Sequence, residues 1–140
     1  MRRLILVRGL PGSGKTTTAK MLVDGHDVPE HGNCMMCAAD DFFYDDEGEY
    51  KFDWTKLRDA HDACQRKAFG AMSDGYALVV VHNTFTTMWE ITPYLSVAKL
   101  HDYSIQVIEC RGDFGNTHQV SDESIENARN RWEDYDDCFS

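Results

Sequence analysis

One glycine-rich segment of the sequence has the residue types and spacing that bind phosphate groups. Residues 9–16 read GLPGSGKT and match the pattern G-x-x-x-x-G-K-[ST] at every defined position. The glycines let the backbone turn tightly enough for several N–H groups to point at one phosphate. Lys15 is expected to reach the β- and γ-phosphates, and the Thr16 hydroxyl is expected to ligate Mg²⁺. The segment predicts a P-loop for a nucleoside triphosphate, with nucleotide contacts from Gly12, Ser13, Gly14, Lys15, Thr16 and Thr17.

A P-loop needs a strand before it and a helix after it, and the flanking sequence predicts both. The continuous apolar run at residues 4–7 is typical of a buried parallel strand. Residues 15–23 place apolar side chains at helical spacing, and Gly25 follows where the end of a helix favours glycine. The context therefore agrees with the motif.

Further along the chain, strands and helices are predicted to alternate. Strands are expected at residues 33–39, 77–81 and 104–110, and helices at 55–72, 88–100 and from Ser121 to about Trp132. This alternation predicts an α/β fold of the P-loop NTPase class, an adenylate-kinase-like three-layer sandwich with a mostly parallel sheet. Residues 1–133 are expected to form a single domain, and the acidic tail at 134–140 is expected to fray.

The composition limits the classes of partner. The 140-residue chain carries 14 basic and 24 acidic residues, which gives a formal charge of −10. This charge argues against non-specific binding along a nucleic acid, because such binding requires a basic track, but it permits a nucleotide or a strand end in a local pocket. No apolar run approaches the roughly 20 residues that span a bilayer. We expect a cytoplasmic protein with no membrane partner.

The class of P-loop protein can be narrowed by motifs that this sequence lacks. A GTPase would carry an N-K-x-D motif that reads the base, and none is present. A motor or AAA+ ATPase would be larger and would usually end a hydrophobic strand in Asp-Glu. The strongest hydrophobic strand here ends in Val81-His82-Asn83. The pattern therefore favours a small P-loop kinase.

The order of several further motifs resembles one kinase family. The motifs are LVRGLPGSGK at 6–15, ADDFF at 39–43, DAH at 59–61, HNTFT at 82–86, WE at 89–90, PY at 93–94, NTHQV at 116–120 and RWE at 131–133. The chain is similar to the P-loop kinase family that contains the kinase domain of bacteriophage polynucleotide kinase. It resembles still more closely the phage and bacterial "AAA-family ATPase" proteins that are similar to the kinase-like domain of NEDD4-binding protein 2.

This resemblance implies a catalytic set of Lys15, Asp40 and Arg111. It assigns the general base to Asp40, and a carboxylate that follows a strand next to the P-loop would lie in the usual ligand crevice, where it could accept a hydroxyl proton. Asp41 is expected to cap a helix or to support Mg²⁺. Arg111 lies where the phage kinase has lid arginines, and a guanidinium there could offset charge that develops on the phosphates.

The residues expected to contact the acceptor depart from the family pattern at two positions. His82 stands where the family often has aspartate, and Phe43 stands where the phage kinase has an arginine that recognises a nucleic-acid phosphate. The acceptor pocket is therefore expected to be more apolar than that of the phage kinase. The complete set of expected substrate contacts is Asp41, Phe43, His61, His82, Asn83, Asn116 and His118.

The leading functional hypothesis is a phosphotransferase that uses ATP, or another nucleoside triphosphate, and Mg²⁺. Its acceptor would be an alcohol group on a nucleic-acid end, a nucleotide or a nucleoside, and a phage-encoded enzyme would act in the cytoplasm of its bacterial host. One alternative is a kinase for hydroxymethylated bases in phage DNA. The other is a nucleotide-binding or ATPase module without transfer activity, in which His82 marks lost catalysis. The sequence leaves the oligomeric state open.

Overall fold

The computed structural model describes residues 2–26, 32–112 and 121–135. These residues contain the strands β1 Arg3–Gly9, β2 Cys34–Cys37, β3 Leu78–Asn83 and β4 Ser104–Cys110. They also contain the helices α1 Lys15–His26, α2 Leu57–Ser73, α3 Met88–Leu100 and α4 Asp122–Arg131. Two 3₁₀ helices cover Ala39–Phe43, which we call the acidic turn, and Trp54–Lys56. None of the helices in the described ranges is long and apolar enough to cross a membrane.

The strands form one parallel sheet in the order β2-β3-β1-β4. Strand β1 lies inside the sheet, and Val7 pairs with His82 on one side and with Ile108 on the other. The segments that follow β1, β2 and β3 therefore leave the same carboxyl edge of the sheet, where ligands bind in open α/β folds. This topology confirms the predicted α/β P-loop NTPase fold.

Helices cover both faces of the sheet. Ile5 and Val7 of β1 pack on one face with Ala19 of α1. Leu4 and Leu6 belong to the core on the opposite face, which α2 and α3 cover. Successive strand side chains point to opposite faces, so a strand buried on both sides is apolar at most of its positions. This is why the short apolar runs predicted the strands correctly.

Three predicted boundaries differ from the structure. Helix α1 continues through Gly25 to His26 instead of ending at Val23, because one glycine in a last turn costs a helix only about 1 kcal/mol. Strand β2 ends at Cys37, since Ala39 already begins the acidic turn. Helix α2 begins at Leu57 and not at residue 55, because the 3₁₀ helix Trp54–Lys56 precedes it.

Helix α4 begins where the sequence predicted it. The Ser121 hydroxyl accepts a hydrogen bond from the Ser124 N–H at 3.1 Å, which is the expected N-cap contact. Asp122 and Glu123 occupy the first turn, where their negative charge interacts favourably with the helix dipole. The helix ends at Arg131, which confirms the predicted end near Trp132.

The chain that follows α4 returns to the strand before the P-loop, where a buried arginine holds it. Arg8 is fully buried. Its Nε donates to the Phe85 carbonyl at 3.1 Å, and its Nη2 donates to the Glu133 carbonyl at 2.7 Å. The guanidinium carbon lies 3.9 Å from the centre of the Trp132 ring, a cation–π distance. We call Arg8, Trp132 and Glu133 the C-terminal clasp.

The clasp also closes the start of α3. The Glu133 carboxylate accepts a hydrogen bond from the Met88 N–H at 2.8 Å. At this N-terminus of α3 a negative charge interacts favourably with the helix dipole. The Glu133 N–H donates to the Thr86 carbonyl at 2.7 Å. Tyr135 is partly buried and packs against the core, so packing continues into the segment expected to fray. Residues 136–140 lie outside the described residues.

Candidate active site

The loop between β1 and α1 requires glycine at three positions. Gly12 and Gly14 have φ angles of 79° and 95°, which residues with a Cβ rarely adopt. A Cβ on Gly9 would lie 2.2 Å from Ser13 Oγ and 2.7 Å from the Cys110 carbonyl oxygen. The loop is therefore compact against β4, and the N-terminus of α1 follows it directly. This is the arrangement in which backbone N–H groups and a helix dipole bind phosphate.

Lys15 begins α1 and directs its ammonium group back to the loop. Its Nζ donates to the Leu10 carbonyl at 3.0 Å. Burial lowers the pKa of Lys15, and the negative charge of Asp40 opposes that shift most strongly. The Asp40 carboxylate therefore lies close enough to act on the ammonium group. Thr16 and Thr17 follow in the exposed first turn of α1.

The residues around the P-loop fit a magnesium ion that arrives with a nucleotide. The Thr16 side chain is exposed at the start of α1, where a hydroxyl can ligate the ion. The described residues include no group of three or more His, Cys, Asp or Glu side chains that could hold a metal ion. Mg²⁺ usually keeps several waters and takes further oxygens from substrate phosphates. Phosphate oxygens and water would therefore supply the rest of its ligands here.

The acidic turn is held in place by a buried amide from the neighbouring strand. Asn83 ends β3, and its Oδ1 accepts a hydrogen bond from the Ala39 N–H at 2.8 Å. Its Nδ2 donates to Cys64 Sγ on α2 at 3.6 Å. Asn83 was expected to contact substrate, but both ends of its buried amide bind within the protein. Its contacts make it a support for the segment that carries Asp40.

Asp40 receives a hydrogen bond from a tyrosine across the following hairpin. The Tyr50 hydroxyl donates to Asp40 Oδ1 at 3.2 Å. Burial raises the pKa of Tyr50, and the charge of Asp40 raises it further, so the hydroxyl stays protonated as a donor. Asp40 is partly buried, whereas the neighbouring Asp41 is exposed. The two carboxylates thus differ in solvent exposure.

His82 is a buried neutral imidazole near the same charges. It is 8% exposed, and its Nε2 has no hydrogen-bond partner among the described residues. Burial lowers the pKa of His82, the charge of Asp41 opposes this shift, and Lys15 adds to it. The carboxyl end of β3 thus carries an uncharged hydrogen-bonding group close to Asp41 and Lys15.

Arg111 lies at the rim of the P-loop. Its exposed guanidinium forms an ion pair with Glu109. The next residue, Gly112, donates its N–H to the Ser13 carbonyl at 3.2 Å and joins the start of this loop to the P-loop. Asn116 and His118, the other residues expected in the loop, lie outside the described residues.

Two residues expected to contact the acceptor have contrasting positions. Phe43 is buried in the core, and its ring centre lies 4.9 Å from that of Phe52. Successive side chains of the acidic turn point to different sides, so solvent reaches the neighbouring Phe42 and not Phe43. His61 is partly buried on α2, beside the core residue Ala60. The structure thus assembles Lys15, Asp40 and His82 and leaves Phe43 as a packing residue.

Sequence reasoning missed two of the supporting residues. Tyr50 is ten residues from Asp40 and reaches it only because the chain between them folds back through a bridge between Tyr44 and Tyr50. Arg8 did give a signal that could have been used, because a charged residue inside an apolar strand must find buried partners. Its partners are distant in sequence, so the signal identifies the residue and not the contact.

Sequence comparison relates the chain to one family of P-loop proteins. The AAA domain profile matches residues 4–114, which is more than half of the chain. NEDD4-binding protein 2 of Homo sapiens is 33% identical over 102 residues, which cover 73% of this chain. That match spans only 5% of the human protein.

Two solved structures share the fold. Chaetomium thermophilum Kti12, solved in complex with ADP-AlF3, gives a TM-score of 0.63 at 18% identity, over 94% of this chain and 80% of Kti12. A chain of the Pnkp1/Rnl/Hen1 complex gives 0.60 at 16% identity, over 90% of this chain and 38% of its own length. At these identities the likeness establishes the fold alone.

Proposed function

Because this chain belongs to the AAA domain family and has a P-loop kinase-like fold, we propose that it is an ATP- and Mg²⁺-dependent kinase. The acceptor in this proposal is a hydroxyl of a nucleic-acid end, a nucleotide or a nucleoside. One observation carries the proposal: Lys15 and Asp40 both follow strands at the carboxyl edge of the sheet, where the charge of Asp40 acts on the Lys15 ammonium group. A phosphate-binding lysine and a carboxylate at one site supply both halves of a phosphoryl transfer.

The donor half of the reaction rests on the P-loop. The N–H groups of residues 12–17 and the Lys15 ammonium would bind the β- and γ-phosphates, and Thr16 would ligate the Mg²⁺ that arrives with them. The bound ion would supply charge neutralisation at the phosphates. Arg111 would exchange its ion pair with Glu109 for a contact with the γ-phosphate, because a guanidinium binds phosphate oxygens through two parallel hydrogen bonds.

The acceptor half rests on Asp40. As a general base, its carboxylate would accept the proton of the attacking hydroxyl while the γ-phosphoryl group moves to the oxygen. Asn83 fixes the backbone of the acidic turn, and Tyr50 fixes one carboxylate oxygen.

The proposal is tested with ATP labelled at the γ-phosphate and a panel of acceptors. The panel contains 5′-hydroxyl oligonucleotides, nucleosides, nucleotides and DNA with hydroxymethylated bases. We expect label on an acceptor, and Asp40→Asn should reduce transfer about a hundredfold or more, the usual contribution of a general base. ATP binding by calorimetry should be unchanged in this variant.

The matched control is Asp41→Asn, which removes the neighbouring, exposed carboxylate from the same turn. Transfer by Asp40→Asn at a near wild-type rate would refute the assignment of the base. Release of inorganic phosphate without labelled acceptor would identify an ATPase. Nucleotide binding without either product would support the binding module, the alternative in which His82 marks lost catalysis.

A further inference from the structure

A group of exposed aromatic side chains follows the acidic turn. Phe42, Tyr44, Phe52 and Trp54 are between 42% and 77% exposed, although they lie within a short stretch of chain. With Lys51 and Lys56 they line an open groove of about 600 Å³. We call the groove that these four rings line the aromatic groove. A soluble protein seldom exposes so much ring surface in one place unless it binds something.

The groove has a rigid base. The buried ring of Phe43 lies 5.5 Å from Phe42 and 4.9 Å from Phe52, centre to centre. The Lys51 N–H donates to the Phe43 carbonyl at 2.8 Å and holds the two sides of the hairpin together. Tyr44 packs against Tyr50 at 5.2 Å. Phe42, Tyr44 and Phe52 therefore each pack against a neighbouring ring, which lowers the conformational entropy that binding a ligand would cost.

The groove is linked to the candidate catalytic base through the acidic turn and Tyr50. Phe42 belongs to the same 3₁₀ turn as Asp40. Tyr50 packs against the groove residue Tyr44, and its hydroxyl donates to Asp40. An acceptor with its hydroxyl at Asp40 would place its neighbouring groups at the edge of this groove.

The local charges favour a neutral ring as the ligand over a phosphate backbone. The Lys51 ammonium lies 3.2 Å from Asp45 and 3.8 Å from Glu49, so nearby carboxylates offset its charge. Lys56 is accompanied by Asp53, whose carboxylate accepts from the Thr55 N–H and hydroxyl. A groove that follows a polyanion needs an excess of basic residues, and the chain as a whole has a charge of −10.

We propose, resting on the kinase function above, that the aromatic groove stacks the base of the acceptor nucleotide and leaves most of its phosphates in solvent. The ligand class is a nucleoside or the terminal nucleotides of a short single strand. Every nucleobase has an aromatic face that can stack on such rings. The groove therefore selects acceptors that carry a base and has little dependence on base sequence.

The test measures acceptor binding without ATP, so that it does not depend on transfer. The probes are a short 5′-hydroxyl oligonucleotide and the same strand with abasic residues at its 5′ end, titrated by calorimetry. We expect Trp54→Ala to weaken binding of the normal strand about tenfold or more, the usual effect of removing one stacking ring. The abasic strand should bind weakly to the wild-type protein and to Trp54→Ala alike.

The matched control is Trp89→Ala, because Trp89 is 81% exposed on α3, outside the groove. It should bind both strands as the wild-type protein does. Phe52→Ala is a second groove variant, and circular dichroism checks that all three variants fold. Affinity for the normal strand should change little between about 50 and 200 mM salt, because few phosphates are neutralised.

Several results would overturn the proposal. These are equal binding by Trp54→Ala and Trp89→Ala, equal affinity for normal and abasic strands, a steep salt dependence, or no binding of either strand. A change of oligomeric state in Trp54→Ala would instead make the groove an interface between copies of the chain. Failure of the kinase proposal is distinct: ring-dependent binding without transfer would refute the kinase and keep the groove.

Discussion

At the scale of single residues, the most informative contact is the hydrogen bond from Tyr50 to Asp40. A general base must present a fixed oxygen to its acceptor, and the tyrosine hydroxyl restricts the carboxylate to one orientation. Tyr50 touches neither the phosphates nor the transferred proton in the proposed reaction. It is therefore a positioning residue.

We predict that Tyr50→Phe lowers kcat about tenfold, because it removes one hydrogen bond to a charged group and keeps the ring. The KM for ATP should stay constant, since the P-loop is untouched. Steady-state kinetics with labelled ATP measures both. The control is Tyr76→Phe, which removes a hydroxyl just before β3, at the opposite end of that strand from the site. Equal effects of the two substitutions would show that Tyr50 has no special role.

His82 gives a second prediction at this scale, which concerns pH and stability. Burial lowers the pKa of His82 below its ordinary value of 6.5, so below that pH the unfolded chain binds the proton more readily than the folded chain does. The stability that the neutral imidazole supplies is therefore present above pH 6.5. It is lost as the pH falls from there through the lowered pKa of His82 in the folded state. The nearby charges of Asp41, Lys15, Asp40 and Lys20 modulate the effect.

We expect the wild-type Tm to fall more steeply than that of His82→Gln between about pH 7 and pH 5. Glutamine keeps a hydrogen-bonding group but does not titrate. Differential scanning calorimetry in matched buffers gives both slopes. The control is His101→Gln, at the partly exposed end of α3. Parallel slopes for wild type and His82→Gln would contradict the prediction.

At the scale of elements, the P-loop depends on its contact with β4. Gly9 lies between Ser13 and the Cys110 carbonyl, and a Cβ would approach backbone there. The loop after β4 is joined to the P-loop through Gly112 and Ser13 as well. The phosphate-binding loop and the segment that carries Arg111 are therefore in direct contact at this point.

We predict that Gly9→Ala destabilises the protein by about 2 kcal/mol, as overpacking does in a compact site. We expect ATP and Mg²⁺ to raise the Tm of the wild-type protein and not that of Gly9→Ala. Chemical denaturation and thermal melts measure the two effects. Gly70→Ala is the control, because a Cβ there meets no atom within 4 Å and alanine favours helix α2 by up to about 1 kcal/mol.

At the scale of the whole molecule, the C-terminal clasp joins the end of the described chain to its beginning. Arg8 and Glu133 are 125 residues apart in sequence. Their contact fixes the end of α4 beside β1 and the start of α3.

We predict that Arg8→Met costs about 3 kcal/mol of stability, because it leaves the buried carbonyl of Phe85 without the Arg8 donor and removes the part-buried hydrogen bond to the Glu133 carbonyl. Urea denaturation measures the loss. Arg3→Met removes an arginine from the same strand at a partly exposed position and should have little effect. A loss below about 1 kcal/mol for Arg8→Met would show that the clasp contributes little.

The sequence by itself determined the features that depend on neighbouring residues. The P-loop lies in one continuous segment, and the strands and helices follow from local periodicity, so the fold class could be predicted. The tertiary structure decided the features that join distant residues. Phe43 is buried while Phe42 is exposed, Asn83 supports the acidic turn, Tyr50 holds Asp40, and Arg8 binds Glu133. These outcomes depend on which side chains the sheet and hairpin bring together, and no local pattern specifies that.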